Sequence, residues 1–374
     1  MNRRHFLRAG TAVGASGMAS LAGCAGLFES ESTATDSETA TESVDSSEST
    51  DSDRREEVTT VEDRDEQVYH PTHREGAAMV GTGGEGRYRV ALLYSVAHAF
   101  WTITGTDTNL VEVGDDATVH LMATVWDGET ETVLPTANVS AEISRDGERV
   151  DSRDFWPMLS QNMGYHFGDN VSLDGDGTYT ATLDVGAMQA RGLGELAGAF
   201  DERTTLEVEF DHERAVVGDL AYERFPDEEG EAGALEPMEM DVPVSRVPER
   251  DALPGSVVAL DASGDADFPV FLPDETPAGV DGEYLAVSPR TPYNRYPLPF
   301  TGLSATVRRG GETVFDGALD PAVSPEYGYH YGAAVPGVES GDSLTLTVET
   351  PPQISRHEGY ETAFVEMPTM ELTV

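Results

Sequence analysis

The sequence predicts an all-β protein with two tandem immunoglobulin-like antiparallel β-sandwich domains after a disordered N-terminal stalk. Short alternating or apolar runs recur along the chain, and turn signals such as Asp127-Gly128 and Asp174-Gly175 separate them. Strands of this length and spacing, without a long amphipathic helix between them, are typical of a sandwich. An internal duplication indicates that the sandwich occurs twice.

The duplication centres on Gly-Tyr-His-Phe-Gly at 164–168, which is matched by Gly-Tyr-His-Tyr-Gly at 328–332. A shift of 164 positions aligns residues 134–168 with 298–332 without a gap, and 14 of these 35 positions are identical. A repeat this long indicates two copies of a whole domain. We expect domain 1 at 67–244, a linker at 245–256 and domain 2 at 257–374.

The predicted strands follow in chain order. In domain 1 they are 88–94, 119–125, 139–143, 179–185 and 206–210, and in domain 2 they are 283–287, 303–308, 344–349 and 369–374. A short helix at 188–200 is compatible with the Ala, Leu and Glu found there. Asp146-Gly147 and Gly310-Gly311 occupy equivalent positions, where a hairpin turn requires positive φ.

The charge excludes one class of partner. The chain has 69 acidic and 23 basic residues, for a formal net charge of -46. Nucleic-acid phosphates require Lys and Arg, so this balance argues against nucleic-acid binding. Because the carboxylates are spread through the predicted domains as well as the stalk, we interpret them as a halophile-type surface that keeps the protein soluble at high salt.

The N-terminus predicts export and anchoring. Arg3-Arg4 precedes an apolar stretch that ends at Leu21-Ala22-Gly23-Cys24, as in a twin-arginine signal with a lipobox, and Cys24 is the single cysteine. We expect a signal peptide at 1–23, lipidation of Cys24, and an acidic Ser/Thr linker at 24–66 that remains disordered. The mature protein would then be an extracytoplasmic lipoprotein anchored to the cell membrane. A disulfide framework and a Cys-based zinc site are excluded.

The segment 156–171, Trp-Pro-Met-Leu-Ser-Gln-Asn-Met-Gly-Tyr-His-Phe-Gly-Asp-Asn-Val, resembles the periplasmic iron-transport protein family. The second copy shares its His-Tyr-Gly core, and Arg356-His357 is similar to the Arg-His pair that precedes the family's last strand. The resemblance implies an immunoglobulin-like domain that binds copper through Met and His, forms dimers and works beside an iron permease. The chain would be two divergent tandem copies in a haloarchaeal-type lipoprotein.

Each copy departs from the family's ligand set. Copy one keeps Met158 and His166, but Phe225 stands in place of the second His. Copy two keeps His330 and His357, but Ala322 replaces the Met. Three alternatives follow: the site has decayed, one site is shared between the copies as an intramolecular pseudo-dimer, or the site is rebuilt from other side chains.

Thioether and imidazole together suit copper, whereas imidazole with carboxylate also suits ferrous iron or zinc. His120 and Met122 lie on one face of a predicted strand, and His98 lies in apolar company. The candidate metal ligands are Met158, Met163, His166, His98, His73, His330 and His357. The alternative for His166 and His330 is a core histidine bonded to a backbone carbonyl, and for the two Met it is packing. His212 is expected in a solvated loop.

Two functions remain at this level. The first is a membrane-anchored protein that binds copper or ferrous iron and assists iron uptake, in the company of an iron permease. The second is a non-catalytic surface module, a β-sandwich that serves protein interaction or structure and has a degenerate metal site. An enzyme is not expected, because the chain lacks a Gly-x-Ser-x-Gly elbow, a nucleophilic Cys outside the lipobox and a phosphate-binding loop before a helix.

Overall fold

The computed structural model describes residues 61, 64, 67–135, 137–278 and 280–374. The predicted signal peptide, Cys24 and nearly all of the linker lie outside these residues. The described residues all belong to one compact unit, and below we call 67–244 the first half and 257–374 the second half. Among the described residues we find no helix with the length and apolar character needed to cross a bilayer.

The regular secondary structure of the first half is almost all β-strand. It also contains the short helix α1 (Arg214–Gly218) and a 3₁₀ turn at Gly194–Leu196. The strands are β1 (His73–Glu75), β2 (Ala78–Glu85), β3 (Tyr88–Val96), β4 (Phe100–Thr104), β5 (Asp107–Val111), β6 (Val119–Asp127), β7 (Val139–Arg145), β8 (Glu148–Asp154), β9 (Trp156–Ser160), β10 (Gly164–Val171), β11 (Gly177–Val185), β12 (Arg191–Gly192), β13 (Thr204–His212) and β14 (Tyr222–Arg224).

The second half begins after a 3₁₀ turn at Arg250–Ala252. Its strands are β15 (Ser256–Ser263), β16 (Ala266–Leu272), β17 (Glu283–Val287), β18 (Gly302–Arg309), β19 (Glu312–Ala318), β20 (Asp320–Ser324), β21 (Gly328–Val335), β22 (Ser343–Thr350), β23 (Ser355–Arg356) and β24 (Met370–Thr373). Every strand predicted from the sequence is present, and the predicted all-β sandwich fold is confirmed.

The sheets of the two halves correspond. In the first half the order β2-β3-β6-β10-β9-β23-β4-β5 faces the sheet β13-β11-β7-β8. In the second half the order β15-β16-β17-β21-β20-β12 faces the sheet β24-β22-β18-β19. The short strands β1 and β14 form a separate pair. The alternation in β13, where Leu206, Val208 and Phe210 are buried between exposed residues, shows how one strand face supplies the core.

Two short strands cross between the halves. β23 of the second half lies parallel to β9 of the first half, with Ser355 opposite Met158. β12 of the first half lies parallel to β20 of the second half, with Arg191 opposite Ala322. Arg191 is 164 positions from Ser355, and Ala322 is 164 positions from Met158. Each half therefore receives the equivalent short strand from the other, and the exchange is reciprocal.

Turn geometry agrees with the sequence at the equivalent hairpins. Asp146 and Gly147 have φ of 53° and 79°, and Gly310 and Gly311 have φ of 58° and 91°. The short helix at 188–200 is wrong: the segment forms β12 and the 3₁₀ turn instead. Gly194 and Gly198 there adopt φ of 60° and 74°, which interrupt a right-handed helix.

Candidate metal centre

A cavity of about 390 Å³ opens beside the exchanged strand β23. Its wall carries imidazole and carboxylate groups from both halves of the chain, namely His73, Glu75, His98, Glu112, His166, His357 and Glu358. Thioethers of Met122, Met163 and Met238 line the same cavity. Soft and borderline donors therefore share one space with three carboxylates.

Four histidines form a cluster at this cavity. One ring nitrogen each from His98, His120 and His357 lie within 4.8 Å of one another. The ring centroids of His98 and His120 are 4.3 Å apart, and those of His166 and His357 are 5.4 Å apart. We call these four residues the histidine cluster.

The four imidazole rings come from four separate segments of the fold. His120 lies in β6 and His166 in β10, which are adjacent antiparallel strands. His98 lies in the loop between β3 and β4, and His357 follows β23 directly. His357 reaches the cavity because β23 is hydrogen-bonded to the first half, where the His357 backbone N–H donates to the Leu159 carbonyl at 3.2 Å.

The Asn170 amide fixes the tautomer of His120. Its Nδ2 donates to the His98 carbonyl at 2.9 Å, so its Oδ1 faces the His120 Nδ1 at 3.0 Å. An amide oxygen only accepts, hence Nδ1 of His120 carries the proton and Nε2 keeps its lone pair. This is the hydrogen-bonding arrangement that orients an imidazole ligand for a metal.

The same pattern holds in the other rings. Nδ1 of His166 lies 3.1 Å from the Gly164 carbonyl, Nδ1 of His98 lies 2.9 Å from the Val96 carbonyl, and Nδ1 of His357 lies 3.3 Å from the Leu159 carbonyl. Because each carbonyl accepts the Nδ1 proton, Nε2 is left with a lone pair that can bind a metal. Within the described part of the chain, Nε2 of His98, His120 and His166 is buried without a hydrogen-bond partner. Such orphaned groups each cost about 1–3 kcal/mol unless a ligand satisfies them.

Electrostatics keep most of the cluster neutral. Burial lowers the pKa of His166 to about 4. Burial, together with neighbouring imidazoles, holds the pKa of His120 and His357 well below the ordinary value. For His98 burial also lowers the pKa, but the Glu75 carboxylate, 3.0 Å from Nδ1, outweighs it and the net shift is upward. Neutral imidazole is the form that binds a metal.

Met158 lies beside the histidine cluster but does not line the cavity. It is fully buried and stands directly opposite His166 in the β9–β10 ladder. A Cβ on Gly168 would lie 2.9 Å from His120 Nε2 and 3.3 Å from Met158 Sδ. The missing side chain at Gly168 thus keeps open the space that these two donor atoms face.

His73 and the carboxylates form the other side of the cavity. Nδ1 of His73 lies 3.6 Å from Glu358 and its Nε2 lies 3.9 Å from Glu75. The Thr72 hydroxyl is 2.8 Å from His73 Nδ1, and burial raises the pKa of Glu358 to about 7. His73 therefore shares the cavity with the histidine cluster, and Glu75 links the two by contacting both His73 and His98.

The structure brings six of the seven candidate residues to this region and leaves one apart. His330 does not line the cavity: its ring contacts Phe271, Tyr284 and Tyr327. The candidate list missed His120, Glu75, Glu358 and Met238. The pairing of His120 with Met122 on one strand face is the available signal for the first of these. His212 is buried against Tyr94 and Tyr179, so its expected place in a solvated loop is wrong.

Comparison with known proteins finds similarities over parts of the chain. Residues 115–223, which include His120, Met158 and His166, match the family model described as Fe2+ transport protein. Residues 251–373 match a different model, a domain of unknown function. UPF0423 proteins of Brucella abortus, Brucella suis and Brucella melitensis are 34% identical over 97 residues, which is 24% of this chain and 53% of theirs. The chain spans about half the length of the curated relatives it matches.

Two solved structures are similar over a limited part of the chain. FetP of uropathogenic Escherichia coli strain F11, as isolated, aligns at 16% identity over 38% of this chain and 96% of that one, with a TM-score of 0.26. A copper-bound single-residue variant of the same protein aligns at 18% identity over 37% and 92%, with a TM-score of 0.27. By the match to the family model, residues 115–223 are similar to the Fe2+ transport protein family.

Proposed function

We propose that the histidine cluster binds a transition metal, copper or ferrous iron, and that the protein assists iron uptake at the outer face of the cell membrane. The observation that carries the proposal is the histidine cluster beside one cavity, in which the buried Nε2 atoms of His98, His120 and His166 have no hydrogen-bond partner among the described residues. The protein would act by binding and delivery rather than by catalysis.

The donor set decides the class of ion. Imidazole nitrogens with a thioether suit copper, and the adjacent carboxylates Glu75 and Glu358 extend the range to ferrous iron. The cavity wall also offers Met163, which is nearly fully buried. The four residues of the histidine cluster would hold the ion, with Met158 as the candidate thioether.

The two halves would act as an intramolecular pseudo-dimer. The reciprocal exchange of β12 and β23 supports this, since each half receives one parallel strand from the other. His357 enters the first half through that exchange. The half-set that lacks a second His in the first copy is completed by the second copy.

Iron uptake and anchoring have separate support. The match of residues 115–223 to the Fe2+ transport model supports a role in iron handling. The twin-arginine and lipobox sequence supports export and a lipid tether at Cys24. An iron permease in the same membrane is the partner that this role requires.

Metal content tests the proposal. Purified protein is loaded with Cu(I), Cu(II) or ferrous iron under defined redox conditions, desalted and measured by elemental analysis. We expect bound metal in the wild type, a large loss in His166→Ala, and no loss in His212→Ala, a matched change of a buried histidine outside the cavity. Equal metal content in all three proteins would contradict the proposal and favour a surface interaction module instead.

The uptake role needs a second measurement in cells. Iron accumulation in a strain that lacks this protein is compared after complementation with the wild type, His166→Ala and Cys24→Ala. We expect the wild type alone to restore uptake in full. Restoration by His166→Ala would separate uptake from the metal site.

A further inference from the structure

We propose that the chain carries a single metal centre, and that the equivalent position in the second half has been rebuilt as a packed aromatic box that fastens the exchanged segment 191–193. This inference rests on the proposed metal binding and adds its stoichiometry and its geometry. The box is formed by Phe271, Tyr284 and Tyr327 around His330.

Strand register identifies the equivalent positions. In the β6–β10 ladder His120 is opposite Asn170, and in the β17–β21 ladder Tyr284 is opposite Ala334. Both pairs are related by the same 164 positions as the repeated Gly-Tyr-His stretch. Tyr284 therefore stands where the first half has His120.

The neighbouring ladder gives the thioether positions. Met158 is opposite His166 in β9–β10, and Ala322 is opposite His330 in β20–β21. The turn that joins each pair of strands carries Met163 in the first half and Tyr327 in the second. Met158 and Met163 of the first half thus have no Met at the equivalent positions of the second half.

The exchanged segments complete the comparison. The His357 N–H donates to the Leu159 carbonyl at 3.2 Å, and the Leu193 N–H donates to the Val323 carbonyl at 2.9 Å. These residues occupy the same place after β23 and β12. Leu193 is the counterpart of His357, so a hydrocarbon side chain enters the second half where an imidazole enters the first.

Both ring nitrogens of His330 have hydrogen-bond partners, whereas only one ring nitrogen of His166 has one among the described residues. Both rings place Nδ1 3.1 Å from the carbonyl of the glycine two residues earlier. Nε2 of His166 has no partner among the described residues, whereas Nε2 of His330 lies 3.1 Å from the Tyr284 hydroxyl. The phenol occupies the position in which a metal would be bound.

The space beside the central glycine of the repeated stretch is also more crowded in the second half than in the first. A Cβ on Gly332 would meet the Tyr284 hydroxyl oxygen at 2.2 Å, as a Cβ on the equivalent Gly168 would meet His120 Nε2 at 2.9 Å. In the first half Gly168 leaves space beside His120 Nε2. In the second half the Tyr284 side chain, from the strand paired with β21, fills the space beside Gly332. Leu193, Leu253 and Ala322 pack with the aromatic box in one buried cluster.

The consequence concerns how His357 is held. Leu193 is 3% exposed, and burial of a Leu side chain stabilises its segment without an ion. Because β12 and β23 are exchanged reciprocally, fastening Leu193 in the second half supports the docking that brings His357 to the first. The metal-free protein would then keep its ligands pre-organised.

Stoichiometric titration with Cu(I) tests the number of sites. We expect one ion per chain in the wild type, one in His330→Gln, and a loss of tight binding in His166→Gln. Two ions in the wild type, with one lost in His330→Gln, would overturn the single centre but leave metal binding intact. No tightly bound ion in any of these proteins would overturn the proposed function together with this inference.

A second test uses the fold rather than the ion. In the metal-free protein, Leu193→Ala is expected to lower Tm by several degrees, whereas Leu260→Ala, at a side chain that is 40% exposed, leaves it nearly unchanged. Leu193→Ala should also weaken Cu(I) binding although it lies in the other half. An unchanged Tm and an unchanged affinity would show that the aromatic box does not stabilise the docked segment 191–193.

Discussion

The imidazoles of His166 and His357 face each other with ring centroids 5.4 Å apart, although one belongs to β10 of the first half and the other follows β23 of the second. Candidate ligands from the two copies thus lie side by side. The exchange of short strands places the second-half imidazole beside the donors of the first half.

Removal of His357 should show that the second half contributes directly to metal binding. We expect His357→Ala to weaken Cu(I) or ferrous-iron binding by more than about 100-fold, since loss of a ligand exceeds the 10–100-fold effect of losing its hydrogen-bond partner. Competition titration with a chelator of known affinity measures the change. His70→Ala is the matched control outside the cavity lining, and an equal loss in both variants would contradict a ligand role for His357.

Asn170 should act on the metal through His120. Its amide orients the His120 ring and also bonds the His98 carbonyl. We expect Asn170→Ala to lower metal affinity roughly 10–100-fold. The exposed Asn138→Ala serves as the control in the same titration.

A purely structural role for Asn170 would give a different result. The variant would then lose thermal stability while its metal affinity, measured below the unfolding transition, stayed at the wild-type value. Asn170→Asp separates the two further, because a carboxylate still accepts from Nδ1 of His120 and is expected to retain affinity better than Ala.

The fold and much of the site can be predicted from the sequence, for identifiable reasons. Alternating patterns such as that of β13 report burial directly, so they predict the strands. Hairpins such as Asp146-Gly147 require positive φ, so glycine marks the turns. The ligand candidates in the Gly-Tyr-His stretch are recognisable because a short motif carries them.

The missed residues depend on long-range placement. His120 becomes a cluster member only because β6 pairs with β10 and Asn170 fixes its ring. Glu75 and Glu358 meet at the cavity from opposite ends of the chain, and no local pattern reports that. The role of Leu193 follows from a parallel pairing of two residues, which is too short to leave a sequence signal.

Gly168 should be a steric requirement of the site. Its backbone is not in the left-handed region, so alanine is compatible with the local conformation. The added methyl would lie 2.9 Å from His120 Nε2 and 3.3 Å from Met158 Sδ, in the space that an ion would share. We expect Gly168→Ala to remain folded with a modest loss of stability and to lose most of its metal binding.

Two controls define that result. Gly147→Ala, in a hairpin with open space around the added methyl but positive φ, reports the cost of backbone strain alone and should retain metal binding. Circular dichroism confirms the fold of each variant. Undiminished binding in a folded Gly168→Ala protein would place the ion away from His120 and Met158.

The buried ring of His330 should make the protein sensitive to mild acid. Burial lowers the pKa of His330 to about 4, whereas an ordinary histidine in the unfolded chain titrates near 6.5. Between these values the unfolded chain binds the proton and the folded chain does not, so stability falls as pH falls. The contribution is complete above pH 6.5 and is lost progressively down to about pH 4, by roughly 3 kcal/mol in total.

The comparison of His330→Gln with the wild type isolates this contribution, because the neutral amide keeps hydrogen-bonding capacity but does not titrate. Urea unfolding of the metal-free proteins at constant salt between pH 4.5 and 7.5 gives the free energy of unfolding of each. The wild type should lose more stability than the variant over this range, and the difference should grow toward the acid end. Parallel curves would mean that His330 is protonated equally in the folded and unfolded states and would contradict this prediction.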